Sequence, residues 1–142
     1  MDTRSQGTGG GLSIAPELVR RIIVNGEAEL LVNQAQSFGE AMQAAGLTKS
    51  QIRGVFGTVR QIDAAWEKTE PKDRLRKVLL LKPRLAYQGA REPKVRPLAG
   101  VLAEAIDRVA EAKEPTEQTR RFGYFVDLFE AILAYHTAAG GR

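Results

Sequence analysis

The sequence predicts an all-α protein, a compact bundle of about five to six helices with no sheet. Apolar residues recur at intervals of three and four along most of the chain, which places them on one face of a helix. Pro, Thr and Gly stand at the ends of these segments, where helices start and stop. No segment alternates apolar and polar residues over the length of a strand.

One domain accounts for the chain. Its 142 residues are 43% hydrophobic, which is enough to bury a core. Residues 1–11 contain four glycines and no apolar residue after Met1, so they cannot offset the entropy lost on ordering. The sequence therefore predicts a disordered tail at 1–11 and a single helical domain at 12–142.

The first two helices are defined by their ends. Pro16 suits a first helical position, and the helix over 17–24 is expected to end at Asn25-Gly26. The second helix spans 27–45 and is followed by Gly46 as the left-handed stop. Its apolar stripe comprises Leu30, Leu31, Gln34, Ala35, Phe38, Ala41 and Met42.

A capping box opens the third helix. Thr48 is followed three residues later by Gln51, and Leu47 occupies the position of a hydrophobic staple. The inward stripe is Ile52, Val55, Phe56, Val59, Ile62 and Trp66. Another face carries three cations within roughly 40° of one another: Lys49, Arg53 and Arg60.

The fourth helix begins at Glu70-Pro71 and ends at Glu92-Pro93. Pro83 interrupts it, because proline lacks an amide hydrogen and its ring clashes with the carbonyl four residues earlier. We expect either a kink or a break near 81–82. The predicted buried stripe is Leu75, Val78, Leu79, Leu85 and Ala86, and the polar ladder is Arg74, Lys77, Arg84, Gln88 and Arg91.

Two further helices complete the bundle. One follows Pro97 and has an acidic outer face; its apolar stripe is Leu98, Val101, Leu102, Ala105, Ile106 and Val109. The last runs from Glu114-Pro115 to about Ala138 and is apolar on two sides, which predicts a central position.

Charge is distributed unevenly along the chain. Residues 49–96 contain thirteen basic and five acidic side chains, a net of +8, whereas the remainder has a net of −4. Few acids alternate with the basic rows, so these rows repel one another and favour a polyanionic partner. The sequence therefore predicts a nucleic-acid-binding surface.

The residues for catalysis are missing. There is no Cys, there is one His, and no motif for phosphate binding or hydrolysis occurs, so neither an enzyme nor a cofactor is expected. His136 lies on a core stripe and is expected to be structural, as are the aromatic residues at helical spacing. The Tyr87 ring could pack while its hydroxyl reaches a phosphate or a backbone group. Carboxylate pairs such as Asp63/Glu67 and Asp127/Glu130 could hold a metal, but such pairs are usually solvated.

Two absences bear on location. No apolar run approaches the roughly 18 residues of a membrane span, and the N-terminus does not have the pattern of a secretory signal. We therefore expect a cytoplasmic protein that does not contact a membrane.

Three motifs, in order, resemble the small subunit of the type III-A CRISPR effector, the Csm complex. They are L-T-K-S-Q-I-R at 47–53, L-L-L-K-P-R-L-A-Y-Q-G-A-R at 79–91, and F-E-A-I-L-A-Y-H-x3-G-G at 129–141. The resemblance runs from about residue 27 to the C-terminus.

This resemblance implies a non-enzymatic helical subunit that stacks in several copies beside the guide RNA (crRNA) and holds the guide-paired target RNA. Its partners would be that RNA, the backbone and other subunits of the effector, and further copies of itself. The implied RNA-binding residues within the motifs are Lys49, Arg53, Lys82, Arg84 and Arg91. Arg60 joins them from the helical-face argument alone.

Two alternatives stay open at this stage. A capped helix after a short turn is also typical of a small DNA-binding regulator, although this one offers few base-reading side chains. A protein-interaction bundle whose basic face docks an acidic partner would contain no nucleic acid.

Overall fold

A computed structural model describes residues 12–142, and the predicted tail at 1–11 lies outside that range. The all-α prediction is confirmed: the described residues form helices, with no strand among them. The α-helices are α1 Pro16–Ile23, α2 Ala28–Ala44, α3 Arg53–Ala64, α4 Pro71–Leu79, α5 Leu81–Arg91, α6 Arg96–Ala110 and α7 Pro115–Ala138. Short 3-10 segments occupy Lys49–Gln51, Trp66–Lys68 and Pro93–Val95.

Helices α6 and α7 lie at the centre of the bundle. Helix α7 packs against α2, α6, α1 and α3, as its two apolar sides predicted, while α6 packs against α5, α7, α1 and α4. The buried face of α7 contributes Phe122, Phe125, Val126, Leu128, Phe129 and Ile132. Helices α3, α4 and α5, which carry the basic residues, therefore lie toward one side of this core.

Helices α2 and α7 form the most extensive helix pair, and Gly39 sets their separation. A Cβ atom at Gly39 would lie 2.6 Å from the carbonyl oxygen of Ile132 and 3.0 Å from the amide nitrogen of His136. Both atoms belong to the backbone of α7. The two helices can approach this closely only because residue 39 has no side chain.

Trp66 fixes the end of α3 against α7. Its indole Nε1–H donates to Thr119 Oγ1 at 2.8 Å, and its ring stacks on Phe122 at 4.3 Å between centroids. Arg74 covers the same ring: its Cζ lies 5.3 Å from the centroid and its Nε donates to the Trp66 carbonyl at 2.7 Å. The side chain of Arg74 is only 14% exposed, so it belongs to this packing and not to the predicted polar ladder.

Pro83 breaks the predicted fourth helix into α4 and α5. Helix α4 ends at Leu79, Leu80 is the junction, and Pro83 falls in the first turn of α5, where its missing amide hydrogen has no helical partner to lose. The break changes the helical phase. As a result, Leu81 is buried, whereas Leu79 is 40% exposed and Ala86 is exposed, so the predicted burial of Leu79 and Ala86 is wrong.

The third helix also begins later than its cap predicts. The Thr48 amide donates to Gln51 Oε1 at 2.9 Å, which is one half of the expected capping box. That box closes a 3-10 turn at Lys49–Gln51, and α3 begins only at Arg53. Lys49 consequently lies on the turn and not on the helix that carries Arg53 and Arg60.

Candidate nucleic-acid interface

The turn at Lys49–Gln51 is held by a residue of the second motif, at 79–91, and by the residue that follows this motif. Gln88 on α5 donates from Nε2 to the Gln51 carbonyl at 2.7 Å. The Gln51 side chain donates in turn to Glu92 Oε1 at 3.0 Å. Gln88, predicted as part of a polar ladder, therefore has a structural role: it fixes α5 to the turn that presents Lys49.

The third motif reaches the same turn from the other side. His136 is fully buried, and its Nε2 lies 2.6 Å from the Leu47 carbonyl. Because a carbonyl only accepts, Nε2 carries the proton. Gly141 closes over the ring, since a Cβ there would lie 2.2 Å from His136 Nδ1. The ring thus anchors the chain just before the turn, which explains why histidine and glycine belong to one motif.

Two grooves flank α3. The α3/α7 groove, about 220 Å³ in volume, is lined by Lys49, Ile52, Arg53, Phe56, Leu133 and Thr137. Its floor is apolar and its cations come from the turn and the first residue of α3. It brings together two of the residues predicted to bind RNA.

The α3/α5 groove runs along the opposite side of α3 in two parts that share Arg84. One part, about 310 Å³, is lined by Thr58, Gln61, Ile62, Lys77, Leu80, Leu81 and Arg84. The other part, about 360 Å³, is lined by Gly54, Val55, Pro83, Arg84, Tyr87 and Gln88. Lys77 lies here beside Arg84, seven residues away along the polar ladder, although it was not among the predicted RNA-binding residues.

The exposed face of α3 separates the two grooves. Added Cβ atoms at Gly54 and Gly57 would meet nothing within 4 Å, so the helix backbone is open to a ligand here. Arg60 lies farther along this face with its side chain 61% exposed. Its nearest acid is Glu130, at 3.9 Å between Nη1 and Oε2, which at this exposure is a weak and screened contact.

The remaining two predicted residues lie differently. Arg91 packs over the ring of Tyr87, with Cζ 5.8 Å from the centroid, so it stands beside the α3/α5 groove. Lys82 Nζ lies 2.6 Å from Asp107 Oδ1 on α6, and it lines neither groove. The structure therefore places Lys49, Arg53 and Arg84 in the grooves beside α3 and Arg60 and Arg91 at their margins. Lys82 instead forms a half-exposed ion pair with Asp107.

Acidic residues lie away from the two basic grooves. Within residues 12–142, no carboxylate lines either groove beside α3. The acids on α6 instead meet cations of this same chain: Glu104 and Glu111 contact Arg108, and Glu111 also contacts Arg20 and Arg121. The grooves beside α3 are thus lined by cations without carboxylates, while Arg60 on the face between them has only the weak contact with Glu130.

The carboxylate of Asp127, close to α3, has a pKa raised by its surroundings. Desolvation on α7 raises the pKa of Asp127, and the negative charge of Asp63 on α3 raises that pKa further. Within the described range, no group of three or more His or acidic side chains is placed to hold a metal ion. None of the helices described is long and apolar enough to cross a membrane.

These features define a class: a small all-helical protein with a buried structural histidine and, on both sides of a single helix, basic grooves whose linings contain no carboxylate. The chain matches the family model described as Csm2 Type III-A over residues 25–142. It belongs to this family, the small subunit of type III-A CRISPR effectors, as the three motifs predicted. No curated protein and no solved structure matches the chain significantly.

Membership in the Csm2 family makes the chain a component of a type III-A effector complex, together with other subunits. The proteins of this family are structural small subunits of the effector.

Proposed function

We propose that this subunit holds the guide-paired target RNA in the effector through sequence-independent phosphate contacts and catalyses no reaction itself. The observation that carries this proposal is the pair of basic grooves beside α3, which no carboxylate lines among the residues described. Lys49 and Arg53 stand on one side of the helix and Lys77 and Arg84 on the other. An RNA backbone lying along α3 would relieve the mutual repulsion of these cations.

The open backbone of α3 supports phosphate contact more than base reading. Gly54 and Gly57 have no side chain to offer a base edge, while Arg and Lys grip phosphates irrespective of sequence. Such contacts suit an effector in which base pairing with the guide reads the target. The same two glycines disfavour the alternative of a DNA-binding regulator, since a recognition helix needs side chains that reach base edges.

The test is the salt dependence of RNA binding by the full chain. Changing Lys49, Arg53 and Arg84 together to Ala should lower the slope of log K against log salt by about 0.7 per contact on single-stranded RNA, or about 2 in total. Circular dichroism should show unchanged helical content, because all three side chains are at the surface.

A matched variant removes three charges elsewhere. Arg20, Arg21 and Arg120 each contact an acid of this chain, so changing all three to Ala alters net charge equally without touching the α3 surface. It should leave the slope nearly unchanged. If both triple variants lower the slope alike, net charge alone attracts RNA and the localised site is wrong.

If the wild-type protein binds no RNA, and its native complex shows no absorbance excess at 260 nm, the protein-interaction alternative holds.

We further propose that the subunit contacts other copies or subunits through the junction between α4 and α5. Leu79 and Leu80 are 40% and 50% exposed there, beside Lys72 and Arg76. The acids on and just after α6 are a weaker candidate for this contact, because they are largely engaged with cations of the same chain. Changing Leu79 and Leu80 to Ser should shift sedimentation toward monomer; unchanged association would place the contact elsewhere.

A further inference from the structure

Tyr87 is the most exposed large apolar or aromatic side chain of the described residues, at 62%, and it faces the α3/α5 groove. The ring does not pack into the core, contrary to the packing that the sequence allowed for it. Single exposed aromatic residues are common and need no explanation by themselves. Tyr87 differs because a groove and two guanidinium groups surround it.

One cation contacts the ring, and a second lines the same groove. Arg91, one helical turn later, has its Cζ 5.8 Å from the ring centroid, which is within the range of a cation–π contact. Arg84, three residues earlier on α5, lines the same groove. Tyr87 is thus an oriented aromatic surface flanked by two positive charges, and within residues 12–142 neither arginine lies in an ion pair with a carboxylate.

The space in front of the ring has room for a small planar group. This part of the groove has a volume of about 360 Å³, within the range of about 300–1,000 Å³ that proteins use for small ligands. Across from α5 lie Gly54 and Val55 of α3, and nothing lies within 4 Å of where a Gly54 side chain would begin. A larger residue at position 54 would occupy this space.

We propose that this groove takes an unpaired nucleobase from a part of the target RNA outside the guide-paired stretch, stacked on Tyr87, with the adjoining phosphate on Arg84. This inference rests on the proposed function and adds a second kind of contact to it. The Nε2 of Gln88, in the wall of this part of the groove, already donates to the Gln51 carbonyl, so the Tyr87 ring is the main surface that the groove offers to a base. Stacking tolerates any base, as an effector that accepts any target requires.

A base inside a duplex cannot enter the groove, because its faces are covered by neighbouring pairs. The proposal therefore predicts that Tyr87 contributes to the binding of single-stranded RNA and not to that of fully paired RNA. Phosphate contacts along α3 serve both. Stacking and phosphate contacts can accordingly be separated in two ways: by comparing single-stranded with paired RNA, or by changing Tyr87 alone.

The experiment measures the full chain against a single-stranded RNA that contains 2-aminopurine and against the same RNA fully paired. Tyr87→Ala should weaken single-strand binding between about 5-fold and 100-fold, which is the range measured for stacked bases. It should leave duplex binding and the salt slope unchanged, because no phosphate contact is lost. Tyr87→Phe keeps the ring and should bind like the wild type. Quenching of 2-aminopurine fluorescence should occur with wild type and Tyr87→Phe and disappear with Tyr87→Ala.

A second variant fills the groove without touching the ring. Gly54→Leu should leave the protein at least as stable, since its new side chain meets no atom, and yet should weaken single-strand binding. Gly100→Leu is the matched control: Gly100 on α6 is equally open and lies outside both grooves.

The outcomes separate the two proposals. Stacking is overturned if the wild type binds RNA while Tyr87→Ala binds single strands and duplexes as the wild type does. It is also overturned if the fluorescence is equally quenched without the ring. If the wild type binds neither RNA, the proposed function itself fails and the stacking proposal fails with it.

Discussion

Substitution Gly39→Ala should destabilise the bundle, and the contact between α2 and α7 gives the magnitude. The new methyl group would lie 2.6 Å from the Ile132 carbonyl oxygen, whereas a carbon and an oxygen normally approach to about 3.3 Å. The helices must therefore separate locally by about 0.7 Å, because the opposing atom is backbone and cannot rotate away. Overpacking of this kind costs about 1–3 kcal/mol. Alanine regains about 0.4–1 kcal/mol by restricting the unfolded chain.

The net expectation is a loss of about 1–2 kcal/mol in the free energy of unfolding, measured by urea denaturation followed at 222 nm. Gly57→Ala is the control, since its Cβ would meet nothing within 4 Å and the substitution should stabilise by about 0.4–1 kcal/mol. The same chemical change should thus have opposite signs at the two positions. Equal stabilisation at both would refute the tight contact between α2 and α7.

Three further substitutions test other contacts. Trp66→Phe removes the donor to Thr119 while keeping a stacked ring, and should lower the free energy of unfolding by about 1–2 kcal/mol in a denaturant titration. His136→Phe leaves the buried Leu47 carbonyl without its donor, which costs about 1–3 kcal/mol. Faster amide hydrogen exchange over residues 47–53 would show that the turn has loosened, and unchanged exchange there would exclude the anchoring role. Asp127→Asn should stabilise the protein at pH 7 by less than about 1 kcal/mol, because the raised pKa means that the ionised carboxylate is disfavoured in the fold. As pH falls through the folded pKa toward the unfolded value, the wild type becomes protonated too, so the difference between the two melting curves should vanish.

Local chemistry explains why the helix ends could be predicted. Gly46 adopts φ +92°, and the amides of Gly46 and Leu47 donate to the carbonyls of Gln43 and Met42, a stop that six consecutive residues specify. The burial of Leu79 could not be predicted in the same way. Whether Pro83 bends or breaks a helix depends on how the following segment packs on α6, and the break shifts every later side chain in phase.

The positive charge of the candidate interface could be predicted from the sequence, but the contacts that engage some of its cations elsewhere in the fold could not. The basic excess of residues 49–96 is a property of the sequence, and helical spacing placed Arg53 and Arg60 on one face. Which cations remain free of acids is set by tertiary contacts. Lys82 forms an ion pair with Asp107, 25 residues away in sequence, and Arg74 donates to the carbonyl of Trp66, eight residues before it. Nothing in a single sequence gives these partners.

The neutral residues of the three motifs can now be given a physical role. Gln88 and His136 contribute no positive charge, yet each donates a hydrogen bond to a backbone carbonyl bordering the turn that carries Lys49. A cation grips a phosphate most effectively when its backbone is already fixed, because the entropy of ordering it has then been lost in folding and not in binding. The motifs therefore combine two functions that the sequence alone does not separate. Lys49, Arg53, Arg84 and Arg91 would meet the RNA. The Gln, His and Gly residues hold α5 and α7 against the turn, so that these cations are presented together.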